Sequence, residues 1–256
     1  MMLRVDPLAV YGLWIRDLLR FRRSRSRVIG AFLTPLLVFA FFGFGFRGVQ
    51  FGGVPGDVSY VEYLVPGILG FTMLFSASFT GLAVLSDREV GFLKEILVAP
   101  VPRTSIVLGR VLGGATTALI QTGLILAGTV VLGFRPRLLG LPLAAVMLVA
   151  IAVTFIGFGL ALATLFSDTQ GYNLLVNFTL FPLAFLSGAF YPLSNLPTVV
   201  QYLGYLNPLT YGIDGLRGAL VGYSQYPLWL DFGVVALSGV VMVTVGAAAF
   251  GRFEVD

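Results

Sequence analysis

Apolar runs of about membrane length, with no charge at their centres, recur along this 256-residue chain and constrain its fold more than any other feature. A spanning helix needs about 20 predominantly apolar residues. The runs cover Val28–Phe46, Leu64–Leu85, Val111–Leu132, Leu141–Phe166, Leu174–Phe190 and Leu228–Phe250. The expected fold class is an all-α integral membrane protein with six transmembrane helices. Composition agrees: 57% of residues are hydrophobic and 11% charged, against roughly a quarter charged in a soluble domain. A very apolar soluble core is excluded by the same runs.

The segments between the runs differ from one another. Asp6–Arg27 reads as an interfacial amphipathic helix. Leu8, Tyr11, Ile15, Leu18 and Leu19 share one side at helical period, and Arg16, Asp17, Arg20 and Arg23 share the other. Asp6 is the expected cap, with Pro7 in the first turn. About 27 mostly amphipathic residues precede the first apolar run, and no small-residue cleavage site follows it, so a cleaved signal peptide is not expected. The domain organisation is an interfacial helix over residues 1–27 and one six-span domain over 28–256.

Ser86–Arg110 is a polar linker. A short helix is expected in it, with Val90, Leu93 and Leu97 on one face, Asp87, Lys94 and Glu95 on or near the other, and Pro100 and Pro102 as the stop. Tyr191–Tyr226 is apolar but broken by Pro192, Pro197, Pro208 and several glycines. Two short helices, near 196–206 and 209–220, are expected there as a re-entrant hairpin on the outer side, because irregular backbone at membrane depth must be buried in protein or line a cavity.

Orientation follows from the basic residues. With the N-terminus inside, the N-terminal segment, the linker, the turn at Ser167 and the tail hold twelve of the sixteen. The outer segments hold Arg47, Arg135, Arg137 and Arg217. The positive-inside rule therefore places both termini in the cytoplasm, with Arg135 and Arg137 running against it locally. The basic N-terminal cluster adjoins a span, where anionic headgroups meet it. The positive balance thus concerns the bilayer and topology, not nucleic acid.

The chain has no cysteine and, equally, no histidine. Disulfides, thiol nucleophiles, thiolate metal sites and imidazole bases are excluded. The glycine-rich Gly43–Gly48 stretch ends a span and lacks the lysine of a phosphate loop. Ser76 and Ser78 have no evident base and read as packing hydroxyls, and Gly109, Gly113, Gly114 and Ala115 as small residues for close helix packing. Glu62, Asp214, Arg217 and Asp231 fall at or near outer span ends, and Asp214 and Arg217 are spaced to pair on one helix face. No span centre carries a charge, which argues against a proton pump or ion-coupled carrier.

Three stretches together resemble the ABC-2-type permease family, the membrane subunits of ATP-driven exporters. They are YLVPGILGFTMLFSASFTGLAVLSDREVGFLKEILVAPVPRTSIVLGRVLGG (Tyr63–Gly114), FPLAFLSGAFYPLSNLP (Phe181–Pro197) and YLNPLTYGIDGLRGAL (Tyr205–Leu220). The nearest branch contains drug-resistance and nodulation-factor exporters. The resemblance implies a non-catalytic permease that pairs with a second copy and with cytoplasmic ATPase subunits. The permease itself holds no cofactor; ATP and magnesium bind on the ATPase. It also implies a coupling helix around Arg88, Glu89, Gly91, Leu93, Lys94 and Glu95, and an interfacial helix around Trp14, Arg16, Arg20 and Arg23. The outer gate region maps to Tyr191, Pro192, Asn207, Pro208, Asp214 and Arg217.

Under this resemblance an amphipathic or lipid-like substrate (a drug, glycolipid or polysaccharide) leaves the cytoplasm or inner leaflet. Phe39, Phe42, Phe71, Phe75, Phe178 and Phe185 are candidates for an aromatic lining, with lipid contact or helix packing the favoured reading of any single ring. A membrane-embedded lipid-modifying enzyme and a structural or assembly protein are the rival readings. Turnover without an ATPase marks the first, and failure to co-purify with an ATPase the second.

Overall fold

A computed structural model describes residues 5–46, 48–56, 58–91 and 101–251, and every regular element among them is helical. In chain order these are α1 (Pro7–Arg23), α2 (Arg25–Gly45), α3 (Tyr60–Glu89), α4 (Arg103–Val131), α5 (Leu141–Ala163), α6 (Thr169–Phe185), α7 (Thr198–Tyr205), α8 (Pro208–Leu220) and α9 (Leu228–Gly251). Short 3-10 turns lie at Leu138–Gly140 and Leu193–Asn195.

The helices α2, α3, α4, α5 and α9 are long and apolar enough to cross a bilayer. The fifth expected span is α6, with different bounds and only 17 residues, about 25 Å of helix. It starts at Thr169 instead of Leu174 because the Asp168 carboxylate accepts the Gly171 N–H at 2.7 Å and caps it. It stops at Phe185 instead of Phe190 because the chain turns at Gly188, whose φ of +71° suits glycine. The two short helices expected in 191–226 are α7 and α8.

The bundle is built around α3, which packs against α2, α4, α5, α6 and α8. Leu64, Ile68, Leu69, Met73, Leu74 and Leu85 are fully enclosed along it. At the crossing of α3 and α5, Gly81 meets the Gly159 backbone with no room for a side chain on either. Small residues of this kind let helices approach in lipid, where apolar burial gives no driving force. Tyr172 of α6 seals the crossing by donating to Ser78 O at 2.7 Å and Gly159 O at 3.2 Å. α9 lies along α5, and α8 is wedged among α3, α5 and α9.

The N-terminal helix is present, shorter than expected, and uses its charged side for packing. The Asp6 carboxylate accepts the Leu8 and Ala9 N–H groups at 3.0 and 3.5 Å, a cap of about 1 kcal/mol. The helix breaks at Ser24, and α2 starts at Arg25. Leu13 and Asp17 face Gly109 and Gly113 of α4, while Leu8 and Tyr11 are 82% and 57% exposed. The reason is electrostatic: the charges find partners inside the bundle, and Leu8 and Tyr11 stay on the exposed side. The polar linker is also shorter than expected, since Asp87 belongs to α3 and Arg110 to α4. The short helix expected around Leu93, Lys94 and Glu95 lies outside the described residues.

Candidate functional site

Two polar clusters occupy opposite ends of α3, joined along its length by aromatic rings. At the α1 end, Asp87 is enclosed and receives three arginines. Arg20 Nη1 lies 3.0 Å from its Oδ1, while Arg16 Nη2 and Arg110 Nη2 both reach Oδ2. Arg110, 1% exposed, also donates through Nη1 to Asp17 Oδ1 at 3.1 Å. Five charged side chains from α1, α3 and α4 thus form one network. Burial pushes the Asp17 carboxyl above its ordinary value, and the Arg110 guanidinium opposes this. Removing one partner of a buried pair strands the others and costs about 3–5 kcal/mol.

The seat of α1 is set by spacing. Arg16 and Arg20 are four apart on one helix face, as are Gly109 and Gly113 on α4. Trp14 Nε1 donates to Thr116 Oγ1 at 3.0 Å and pins the helix further along α4. The network gathers Arg16 and Arg20 but not Arg23, which is exposed in the last turn of α1. In sequence, Asp17 reads as part of the charged side of α1, Asp87 as part of the polar face of a linker helix, and Arg110 as the end of that linker. The sign alternation around each span end was the available signal.

The last turn of α3 grips the turn between α5 and α6. Arg88 Nη1 donates to Phe166 O at 3.3 Å. The Glu89 carboxylate accepts Thr169 N at 2.8 Å and Thr169 Oγ1 at 3.3 Å, holding the start of α6. Gly91 follows with a φ of +78°. Leu93, Lys94 and Glu95 are beyond the described residues.

Four of the six phenylalanines singled out in sequence meet around two that were not, Phe190 and Phe181. Phe42 of α2 stacks on Phe190 at 4.9 Å, and Phe185 and Phe71 lie 5.2 and 5.7 Å from it. Phe71 neighbours Phe75 at 4.6 Å, which meets Phe181 edge-on at 5.2 Å. Phe39 is buried in the same apolar core, and Phe178 points outward at 78% exposure. The recurrence of phenylalanine through Phe178–Phe190 was a visible signal, but ring meetings depend on how α2, α3 and α6 cross.

At the opposite end, three donors converge on the Gly188–Phe190 turn. Tyr63 Oη and Arg217 Nη2 donate to Gly188 O at 2.9 and 3.0 Å, and Tyr60 Oη to Phe190 O at 2.9 Å. The Arg217 guanidinium also lies 3.7 Å over the Tyr63 ring. The Asp214–Arg217 pair expected from spacing is present at 3.6 Å, and both residues are buried. Asn207 caps α8 through Leu209 N at 3.0 Å, ahead of Pro208 in the first turn, and donates to Leu183 O at 2.7 Å. Tyr191 and Pro192 follow the turn, half-buried and buried respectively. The tyrosines of α3 escaped the sequence reading because a hydroxyl in an apolar run carries no period of its own.

Ser76 and the glycines behave as packing residues. Ser76 Oγ bonds to Gln121 of α4, and Gly114 abuts the Thr80 side chain.

Known proteins share this chain's sequence over most of its length. The family described as ABC-2 type transporter matches residues 9–221. The inner membrane transport permease YadH of Escherichia coli K12 is 32% identical over 244 residues, covering 92% of either chain. The putative transport permease ycf38 of Pyropia yezoensis is 28% identical, covering 96% of this chain and 87% of its own. Nodulation protein J of Rhizobium leguminosarum bv. viciae is 26% identical, covering 94% and 93%. With its bundle of membrane-length helices and this shared sequence, the chain is a multi-pass membrane protein and belongs to the ABC-2 type transporter family.

Proposed function

We propose that this chain is the permease subunit of an ATP-driven exporter, working as a homodimer with two cytoplasmic ATPase subunits that bind ATP and magnesium. The permease carries no catalysis of its own. Both termini are cytoplasmic, so the α1 end faces the ATPase and the α8 end faces outward. The observation that carries the reading is that one helix, α3, bears the charged network and the grip on Thr169 at one end and the Gly188 latch at the other. Force delivered to the linker that leaves α3 at Gly91 reaches the bundle through Asp87 and Glu89. At the far end, Tyr60 and Tyr63 move with α3 and draw the Gly188–Phe190 turn with them. Family membership supports the ATPase partnership.

The cargo is an amphipathic or lipid-like molecule that follows the aromatic seam between α2, α3 and α6. The outward rings of α2 and α6, Phe41, Phe44, Phe178, Phe181 and Phe185, face the path or the second copy. Energy for transport lies in the different affinity of the inward and outward states. The test is reconstitution with the cognate ATPase in lipid nanodiscs. Asp87→Asn and Glu89→Gln are expected to leave the complex assembled and to abolish permease-stimulated hydrolysis. Stimulation and transport at wild-type levels in both variants would sink the coupling role.

A further inference from the structure

Asp231, in the first turn of α9, is fully enclosed, and among the described residues neither of its carboxylate oxygens has a hydrogen-bond donor. It lies where α8 packs against α9. A Cβ on Gly215 would stand 3.3 Å from Asp231 Cβ and would strike the Met147 side chain of α5. A second carboxylate, Asp214, precedes Gly215, and its acceptors are filled. It takes Gln225 N at 3.0 and 2.8 Å and Tyr226 N at 2.9 Å, with Arg217 at 3.6 Å. Arg217 is itself committed to Gly188 O and the Tyr63 ring. The donors of this wedge are thus spent on Asp214 and the latch.

The groups that act on Asp231 are Asp214, Arg217 and Tyr211 of α8 and Tyr226 of the preceding loop. The Tyr211 hydroxyl donates elsewhere, to Tyr205 O at 3.0 Å. α5 carries no ionisable side chain, and the residue it brings to the same Gly215 position is Met147. The α9 dipole favours an anion in its first turn by about 0.3–1 kcal/mol, while an unpaired buried carboxylate costs several kcal/mol. The dipole therefore loses.

We propose that Asp231 is a proton-binding site, held as the neutral acid, and that this form keeps α8 seated on α5 and α9. When the outer solution turns alkaline, the carboxyl O–H bond breaks, the proton passes to water, and a second negative charge appears beside Asp214. The two carboxylates then repel, α8 loosens, and Arg217 carries the change to the Gly188 turn. The proton site stands on the surroundings of Asp231 alone. Its effect on the path rests on the exporter reading, and the readout below needs no ATPase, so failure of one is distinguishable from failure of the other.

The test is infrared spectroscopy of the full-length permease in phosphatidylethanolamine–phosphatidylglycerol nanodiscs. A carboxylic-acid C=O band is expected at neutral pH, absent from Asp231→Asn and lost from the wild type on alkaline titration. Absence of that band from the wild type at neutral pH, or its persistence in Asp231→Asn, overturns the proposal. Asp214→Asn supplies an independent variant: with the neighbouring charge removed, the Asp231 band is expected to disappear at lower pH than in the wild type, and an unmoved midpoint overturns the proposal.

Discussion

The two ends of α3 hold their neighbours in different ways. At the α1 end the contacts are ion pairs between long side chains, with Arg16 and Arg20 still 27% and 37% exposed. At the α8 end two tyrosine hydroxyls and one guanidinium donate to main-chain carbonyls, with Tyr63 and Arg217 3% and 4% exposed. Charge networks between side chains exchange partners at little geometric cost, and solvent at their rim screens them. Donors aimed at carbonyls fix the position of backbone and leave one arrangement satisfied. One end of the helix is thus suited to rearrangement, and the other to holding a turn in one place until the helix itself moves.

The contrast breaks most sharply at Asp87. Replacing it with alanine removes the carboxylate that three arginines share and is expected to cost about 3–5 kcal/mol, read as a lowered thermal midpoint in nanodiscs and as detachment of α1. Arg217→Lys keeps the charge at the other end but loses the planar fork and the ring contact. It is expected to cost about 1–3 kcal/mol and to expose the Gly188 turn to hydrogen exchange while α1 stays protected. Coincident exposure of α1 would show that the two ends are not separate devices.

Smaller effects sharpen the same comparison. Tyr63→Phe removes one donor to Gly188 O and is expected to cost about 1–2 kcal/mol, again with exchange confined to the α8 end. Salt discriminates without any change to the latch. With Trp229 replaced by phenylalanine, Trp14 is the remaining tryptophan. Its emission is expected to shift as rising ionic strength weakens the partly solvated pairs, while protection at Gly188 stays constant. Trp14→Phe, which deletes one bond to Thr116, is the mildest, at about 1 kcal/mol.

Much of this architecture was legible in the chain. The apolar runs located all five long spans, and the prolines and glycines of 191–226 announced α7 and α8. Asp214 and Arg217 declared their pairing by spacing, because a helix places residues three apart on one face. What misled was equally local. Apolarity continues from Phe185 through Phe190, so hydropathy extended α6 past its true end, where the Gly188 turn intervenes. The charges of α1 read only as the polar side of an interfacial helix, because Asp87 and Arg110 approach them from 67–71 and 93 positions away; the polar side of a helix shows in its period, its partners do not.

The sequence by itself determined that this is a helical membrane protein of the ABC-2 type, where its long apolar helices lie, and which segments between them are polar. Those properties follow from local hydropathy and helical period, which neighbouring residues share. Only the tertiary structure decided that α1 turns its charged face inward, that Glu89 holds the start of α6, that Phe190 gathers the rings of three helices, and that Asp231 is enclosed with no donor among the described residues. Each of these depends on residues remote in the chain, brought together by glycine-mediated crossings such as Gly81 with Gly159. In lipid such packing, not apolar burial, sets which surfaces meet.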